Sequence, residues 1–101
     1  MELLHPLVDA EYPAASGSTS GTAVTLGPWK PGPQGVLVWC TQDAYISVGV
    51  GVTATSSSTP IPAYTPIPFR APQTGSGAPW QVSALQVSTS GTVYAKPINI
   101  R

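Results

Sequence analysis

Two consecutive six-residue segments carry prolines at matching positions, and they restrict the fold of this chain more than any other feature. Residues 59–64 read TPIPAY and residues 65–70 read TPIPFR. In an extended chain, alternate backbone N–H groups point to the same side, so each proline pair removes both donors from one edge. That edge accepts no further strand. The opposite edge keeps its donors, which belong to Ile61, Ala63, Ile67 and Phe69.

These proline hexads (residues 59–64 and 65–70) permit two interpretations. In the first they are structural, either as a protected edge strand or as a rigid loop that crosses one end of a sandwich. In the second they lie as polyproline II and form a docking ridge for a partner groove. Tyr64 and Phe69 are then the anchors of that ridge.

The chain after residue 21 has the pattern of short β-strands. No long window shows the 3.6-residue apolar period of an amphipathic helix, which predicts essentially no α-helix. Segments rich in β-branched and aromatic residues are separated by Gly, Pro and Ser clusters, as in small all-β domains. We therefore predict an all-β fold, namely a small antiparallel β-sandwich or jelly-roll-like barrel of roughly six to seven short strands.

Two hairpins are predicted within this pattern. The first joins residues 36–40 to residues 44–50 through a tight turn at Gln42 and Asp43. The second joins residues 80–88 to residues 92–96 through a Ser/Gly turn. The run VLVWC at 36–40 predicts a strand buried on both faces, with Trp39 in the core.

The first 21 residues have a different character and are predicted to form an extended N-terminal arm with a flexible link, followed by a β-sandwich domain over 22–101. The arm contains two prolines and ends in the sequence SGSTSG. Its apolar groups either pack back along the domain or lie on a neighbouring subunit. These groups are Leu3, Leu4, Leu7 and Val8.

Nothing in the arm resembles a signal peptide, since its acidic residues are not matched by basic ones. No segment reaches the ~18 apolar residues of a membrane span. We expect the chain to be made in a cytoplasm and to remain soluble.

Charged residues form 8% of the chain and the net charge is zero, whereas ordinary soluble domains carry roughly 25% charged residues. Such a surface is either solvated by hydroxyl and backbone groups or covered by partner subunits, and we favour coverage. The four cations are scattered singly, which predicts no binding of nucleic acid.

The inventory of titratable groups gives no catalytic constellation, because acid, base or nucleophilic chemistry needs several convergent groups. Cys40 ends an apolar strand and is expected to behave as a small hydrophobe. Only a nucleophile set of Cys40, His5 and Asp9 is formally possible. The remaining candidate carboxylate, Asp43, is expected to cap backbone groups of the tight turn that contains it. We predict no enzyme, no metal and no cofactor.

Aromatic residues are the remaining candidates for recognition. Trp29 and Trp80 each follow a proline at a loop-to-strand junction, which suits a lid over the core, an interface anchor or a glycan platform. The predicted partner-binding residues are Leu3, Leu4, Leu7, Val8, Trp29, Tyr64, Phe69 and Trp80.

The C-terminal part of the chain resembles small virion structural proteins of tailed bacteriophages. The likeness rests on YISVG at 45–49, TAT at 53–55, FRAP at 69–72 and VSALQVSTSGTVY at 82–94. Similar segments recur in head-decoration, cement and head-spike-base proteins. The resemblance implies a compact β-sandwich present in symmetric copies on the capsid surface, with no catalytic residues.

Two functional expectations follow. The first is a structural virion protein, acting as decoration or cement protein or as the base of a head fibre or spike. It would contact the major capsid protein or other virion proteins and form homo-oligomers by symmetric contacts. The alternative is a carbohydrate-binding or host-attachment module on a phage fibre or tail, with a glycan as partner.

Overall fold

The computed structural model describes residues 4–6, 12–72 and 78–100. Within these residues the chain forms only β-strands and no helix, which confirms the all-β prediction. The strands are β1 Leu4–Pro6, β2 Ala15–Ser18, β3 Val24–Trp29, β4 Gly35–Cys40, β5 Ala44–Gly49, β6 Thr59–Ile61, β7 Ile67–Arg70, β8 Trp80–Gln86 and β9 Thr92–Ile100. Nine strands are described rather than six or seven, because the proline hexads supply two and β1 and β2 precede residue 22.

The strands form two antiparallel sheets that pack face to face. The first sheet has the order β1-β9-β4-β7, with β2 also paired to β9, and the second has the order β3-β8-β5-β6. Strands β2 to β9 therefore alternate between the sheets except at β5 and β6, which is the connectivity of a jelly roll. Of the two predicted alternatives, the small antiparallel β-sandwich is confirmed.

The two predicted hairpins are wrong, although all four of their strands are present. β4 pairs with β7 and β9, while β5 pairs with β6 and β8, so residues 41–43 cross between the sheets. Similarly, β8 lies in the second sheet and β9 in the first. A short polar connection between two strands fits a hairpin and a crossover equally well, and burial of both apolar faces across the sandwich favours the crossover.

The prediction that β4 is buried on both faces is also wrong. Val36, Val38 and Cys40 are fully buried, whereas Leu37 and Trp39 are partly exposed. One face of β4 therefore packs into the core and the other forms part of the outer surface of the first sheet. Trp39 lies on the outer surface because it alternates with Val38 and Cys40 along the strand.

The core lies between the two sheets and takes apolar residues from every strand from β3 to β9. It contains Leu26, Trp29, Val36, Val38, Cys40, Ala44, Ile46, Ile61, Ala71, Trp80, Val82, Ala84, Val93 and Ala95, with Phe69 and Ile67 partly buried against them. Since the interior faces of both sheets meet here, the sandwich is stabilised without a disulfide.

One end of the sandwich is closed by a set of threonine hydrogen bonds. Thr19 is buried, and its hydroxyl group accepts from Gly91 N at 2.8 Å and donates to Gly91 O at 3.2 Å. Nearby, Thr41 Oγ1 accepts from Thr92 N at 2.8 Å. These bonds tie the β2–β3 and β4–β5 connections to the turn before β9.

The proline hexads form the outer strands on one side of the sandwich, so the prediction of a protected edge is confirmed. β6 pairs with β5 in the second sheet and β7 pairs with β4 in the first. Pro60 lies opposite Tyr45 and Pro68 lies opposite Leu37. A proline cannot donate to its partner strand, so these pairs are not hydrogen-bonded and both ring nitrogens face outward.

Two strands of the predicted arm lie along the opposite edge, against β9 of the same chain. β2 pairs with Thr92 to Ala95 and β1 pairs with Ile98 to Ile100. Pro97, which lies between these partners, has no N–H to offer a neighbouring strand. Leu3, Leu7 and Val8 lie outside the described residues, and Leu4 contributes its backbone to β1.

The outer surface of the second sheet is partly covered by the loop that joins β5 to β6. Ala54 in this loop is buried, and its N–H donates to Ser83 Oγ of β8 at 2.8 Å. Gln81 Nε2 of the same strand donates to Val52 O at 3.0 Å. The outer surface of the first sheet remains open in the part that carries Trp39.

Candidate functional site

Three aromatic side chains form a row across the outer surface of the first sheet. The ring of Trp39 on β4 lies 4.7 Å from that of Tyr94 on β9, with an angle of 17° between the planes. Trp39 also lies 6.3 Å from the ring of Tyr64, at 41°. We call Tyr94, Trp39 and Tyr64 the aromatic row.

Strand pairing places two members of the aromatic row. Trp39 and Tyr94 are directly opposite each other in the β4–β9 register. Residues that face each other across antiparallel strands project from the same side of the sheet. Both rings therefore rise from the outer surface, next to each other.

The third member is placed by the short link between the proline hexads. Ala63 N donates to Asp43 Oδ1 at 2.8 Å, and Tyr64 N donates to Cys40 O at 2.8 Å. Tyr64 takes the left-handed backbone conformation, with φ of 57°. These constraints hold its ring on the side of β4 opposite Tyr94. The Asp43 carboxylate binds a backbone N–H as expected, but that N–H belongs to Ala63 in the link between the hexads and not to the turn that contains Asp43.

The aromatic row borders a shallow depression on the same sheet. It has a volume of about 220 Å³ and is lined by Leu37, Trp39, Tyr94, Lys96, Ala14 and Ala95. Lys96 Nζ donates to Tyr12 O at 2.8 Å, so its ammonium group is held at the border of the depression. The surface is thus mainly apolar and aromatic, with one cation at its border.

The geometry of the rings restricts what the row can bind. Two nearly parallel rings with centroids 4.7 Å apart must overlap, so Trp39 and Tyr94 each have one face covered by the other. Tyr64 approaches Trp39 from the other side and is itself 68% exposed. The row offers ring edges and one open tyrosine face, which suits packing against a second protein surface.

Trp29 and Trp80, both predicted as partner-binding residues, are buried side chains of the core. They are 3% and 0% exposed, and their ring centroids lie 5.0 Å apart. Their indole N–H groups donate to Pro13 O at 2.9 Å and to Lys30 O at 3.0 Å. Neither ring is accessible to a partner or a glycan, and of the three roles considered for them the core lid fits.

The other predicted partner-binding residues also differ in where the structure places them. Tyr64 lies in the aromatic row, whereas Phe69 points inward from β7 and packs against the core. The docking ridge anchored by both rings is therefore wrong, because Phe69 lies in β7 and packs against the core, whereas Tyr64 lies in the link between the two hexad strands and is exposed. Leu3, Leu7 and Val8 are outside the described residues, and for Leu4 only the strand pairing is described.

Trp39 and Tyr94 were not predicted as site residues. Their signal in the sequence is alternation: Trp39 lies between Val38 and Cys40, and Tyr94 lies between Val93 and Ala95. Each aromatic residue therefore has a period-2 pattern of small apolar neighbours, as expected for an outward position on a half-buried strand. The continuous apolar run at 36–40 concealed this pattern in β4.

Of the three groups considered for catalysis, the structure describes only the side chain of Cys40. Cys40 is fully buried, and desolvation raises its pKa from 9.0 to about 11. The thiol is therefore protonated at neutral pH, whereas a nucleophilic cysteine needs a lowered pKa. Asp9 lies outside the described residues, and His5 is described by its backbone pairing to Asn99. Among residues 4–6, 12–72 and 78–100 no cluster of His, Cys, Asp and Glu suits a metal ion.

Comparison of the chain with protein-family models, with curated proteins and with solved structures finds no match. In the part of the chain described here, no helix has the length and apolar character of a membrane span.

Proposed function

We propose that this chain is a non-catalytic assembly subunit, and specifically a capsid-associated structural protein of a tailed bacteriophage, of the decoration, cement or head-fibre-base type. The observation that carries the proposal is the aromatic row, which places Trp39, Tyr64 and Tyr94 together on an outer sheet surface. Aromatic side chains are enriched at the centres of protein interfaces.

Two further features support this proposal. Charged residues make up 8% of the chain and the net charge is zero, so charge repulsion between copies is weak. Jelly-roll sandwiches are an architecture of viral capsid domains, although they also occur in lectins, so the fold supports the proposal by analogy. The partners of the aromatic row are copies of the chain itself and the proteins of the capsid.

Self-association of the purified chain tests the role of the aromatic row. Sedimentation velocity across the micromolar range is expected to show a concentration-dependent oligomer. The double variant Tyr64→Asn with Tyr94→Thr should weaken this association at least about tenfold, because interface aromatics contribute strongly to binding. Asn is chosen at position 64 because it tolerates the left-handed backbone conformation.

Tyr45→Thr is the matched control. Tyr45 also projects outward from a strand, but from the second sheet, where it lies opposite Leu85 and Pro60. The control variant should associate like the unchanged chain. A chain that stays monomeric at high micromolar concentration, or equal weakening by both sets of changes, contradicts the proposed role of the row.

The virion location requires a separate test. Mass spectrometry of purified particles from the phage that encodes the chain should detect it at a fixed copy number relative to the major capsid protein. Immunogold labelling should place it on the particle surface. Particles that contain no copies would contradict the proposal even if the chain self-associates.

The second candidate function is a carbohydrate-binding or host-attachment module. It is favoured by the exposure of Tyr64, which leaves one ring face open for a sugar. A glycan array separates the two candidates: binding that is lost in Tyr64→Asn, together with a monomeric chain, supports the module over the assembly subunit.

A further inference from the structure

A polar cleft opens on the side of the sandwich where the proline hexads form the outer strands, and none of its lining residues belongs to the aromatic row. It has a volume of about 340 Å³, at the lower end of the ~300–1,000 Å³ typical of small-molecule sites. Its polar lining comes from β5, from the first residue of β6 with the two residues before it, and from the end of β7. These residues are Ser47, Ser57, Ser58, Thr59 and Arg70.

Arg70 supplies the positive charge of this cleft. The residue is exposed, and within the described part of the chain its guanidinium group makes no ion pair or hydrogen bond. The carboxylate of Asp43 is engaged elsewhere, by Ala63 N. A guanidinium group binds a carboxylate through two parallel hydrogen bonds, so Arg70 offers one fork for a single anionic group.

The hydroxyl groups around the cleft are largely available for a ligand. Ser58 Oγ accepts from Thr55 N at 3.0 Å, which leaves its O–H free to donate. The hydroxyl groups of Ser57 and Thr59 make no hydrogen bond within the residues described. These side chains thus add donors and acceptors beside the guanidinium group.

The edge of β5 adds a backbone donor and acceptor. The β5–β6 ladder ends where Ile46 pairs with Thr59, while β5 continues to Gly49. Pro60 cannot donate to Tyr45, so the hydrogen-bonded pairs on this side are those of Ala44 and Ile46. By the same alternation, Val48 directs its N–H and C=O past the end of β6 and into the cleft.

The geometry points to a binding site for a sugar acid, a saccharide unit that carries one carboxylate and several hydroxyl groups. A single guanidinium fork fits one carboxylate, whereas phosphate sites usually gather several donors from a helix N-terminus or a nest of backbone N–H groups. The serine and threonine hydroxyls and the Val48 backbone match the ligand's own hydroxyl groups. Phe69 and Val48 line the apolar part of the cleft, where the C–H face of a sugar ring can pack. This inference does not depend on the aromatic row or on the virion role.

The test is a titration of the ¹⁵N-labelled full chain with D-glucuronate, with N-acetylneuraminate and with D-glucose. The two acids should shift the amide signals of Val48, Ser58 and Thr59, with a dissociation constant on the order of 1 mM, as expected for a ligand of this size. D-glucose lacks the carboxylate and should bind at least about tenfold more weakly, because a charge-assisted hydrogen-bond pair is lost.

Arg70→Gln should weaken binding of the acids by about tenfold or more while leaving the urea midpoint unchanged, since the side chain is exposed. Lys30→Gln removes the same charge from an exposed residue outside the cleft and should leave binding unchanged. Equal losses in the two variants, equal binding of D-glucose and D-glucuronate, or no shifts at tens of millimolar acid would each overturn the inference. Acetate that binds as tightly as D-glucuronate would overturn the saccharide specificity.

Discussion

Trp29 and Trp80 face each other across β3 and β8, and their rings pack at 5.0 Å with a tilt of 40°. Each indole N–H donates to a backbone carbonyl on a segment that connects two strands. The pair therefore links β3 to the segment before β2, and β8 to the segment after β3. Between Leu26 and Trp29 the register shifts, which brings Trp29 opposite Trp80 after the irregular segment at Gly27 and Pro28. The pair therefore joins core packing to two long-range hydrogen bonds.

We expect Trp80→Phe to lower the free energy of unfolding by about 2 kcal/mol, because it removes the bond to Lys30 O and part of a buried ring. Trp39→Phe is the matched control and should cost less than about 0.5 kcal/mol, since that ring is on the outer surface. Urea unfolding followed by circular dichroism measures both values. An equal decrease in the free energy of unfolding for the two variants would contradict the assignment of Trp80 to the core.

The sequence predicts which segments form strands better than it predicts which strands pair with each other. Four alternating or apolar segments become β4, β5, β8 and β9, and the hexads become edge strands, because period-2 burial and missing N–H groups are local properties. Three of the four residues that keep their donors pair with a sheet as expected: Ile61 faces Ala44, and Ile67 and Phe69 face β4. Ala63 N instead donates to the side chain of Asp43. Which sheet a strand joins depends on contacts across the whole sandwich, and both predicted hairpins were wrong for this reason.

In the candidate site, too, local properties could be predicted from the sequence and long-range pairing could not. The exposure of Tyr64 follows from its position in a polar link between proline segments. The aromatic row needs in addition the register of β4 with β9, which brings Trp39 beside Tyr94 from positions far apart in the chain. A single sequence contains no signal for that register.

Gly91 is expected to be intolerant of a side chain. A Cβ atom there would lie 2.7 Å from Thr41 Oγ1 and 2.9 Å from Gln42 Cγ. Gly91→Ala should therefore destabilise the fold by about 1–3 kcal/mol, through displacement of the connection between β4 and β5. Gly21→Ala is the control, since nothing lies within 4 Å of its Cβ position. Similar unfolding midpoints for the two variants would show that the turn before β9 is looser than described.

Asp43 is expected to control the aromatic row through its bond to Ala63 N. Asp43→Ala removes the acceptor and should loosen the link that carries Tyr64, at a cost on the order of 1 kcal/mol. Asp43→Asn retains an acceptor oxygen and should preserve most of the link. Nuclear Overhauser contacts between the Tyr64 and Trp39 rings report the effect. Loss of these contacts in both variants would assign the role to the charge of Asp43 and not to the hydrogen bond.

The outward-facing prolines are expected to prevent strand pairing between molecules. Pro60→Thr and Pro68→Thr each restore an N–H on an exposed edge, and together they should accelerate aggregation on warming, as light scattering measures. Stability should change by less than about 1 kcal/mol per substitution, since the ladder bonds to β5 and β4 are unaffected. Pro79→Thr, at an exposed position before β8, should aggregate no faster than the unchanged chain. An equal aggregation rate in all variants would contradict the proposal that the hexad prolines prevent pairing between molecules.

Burial of Cys40 predicts a specific dependence of stability on pH. The pKa of the thiol is about 11 in the folded chain against 9.0 for the exposed group, so the folded state holds its proton over a range in which the unfolded state has lost it. The contribution is fully present below pH 9.0 and is lost as the pH rises towards about 11. At ~1.4 kcal/mol per pKa unit it amounts to at most roughly 3 kcal/mol. Cys40→Ala lacks this ionisation, so its stability deficit relative to the unchanged chain should shrink across this interval. Urea unfolding of both proteins from pH 8 to about pH 10.5 measures the difference, and tyrosine and lysine ionisation is common to both. A deficit that stays constant over this range would place the thiol in contact with solvent.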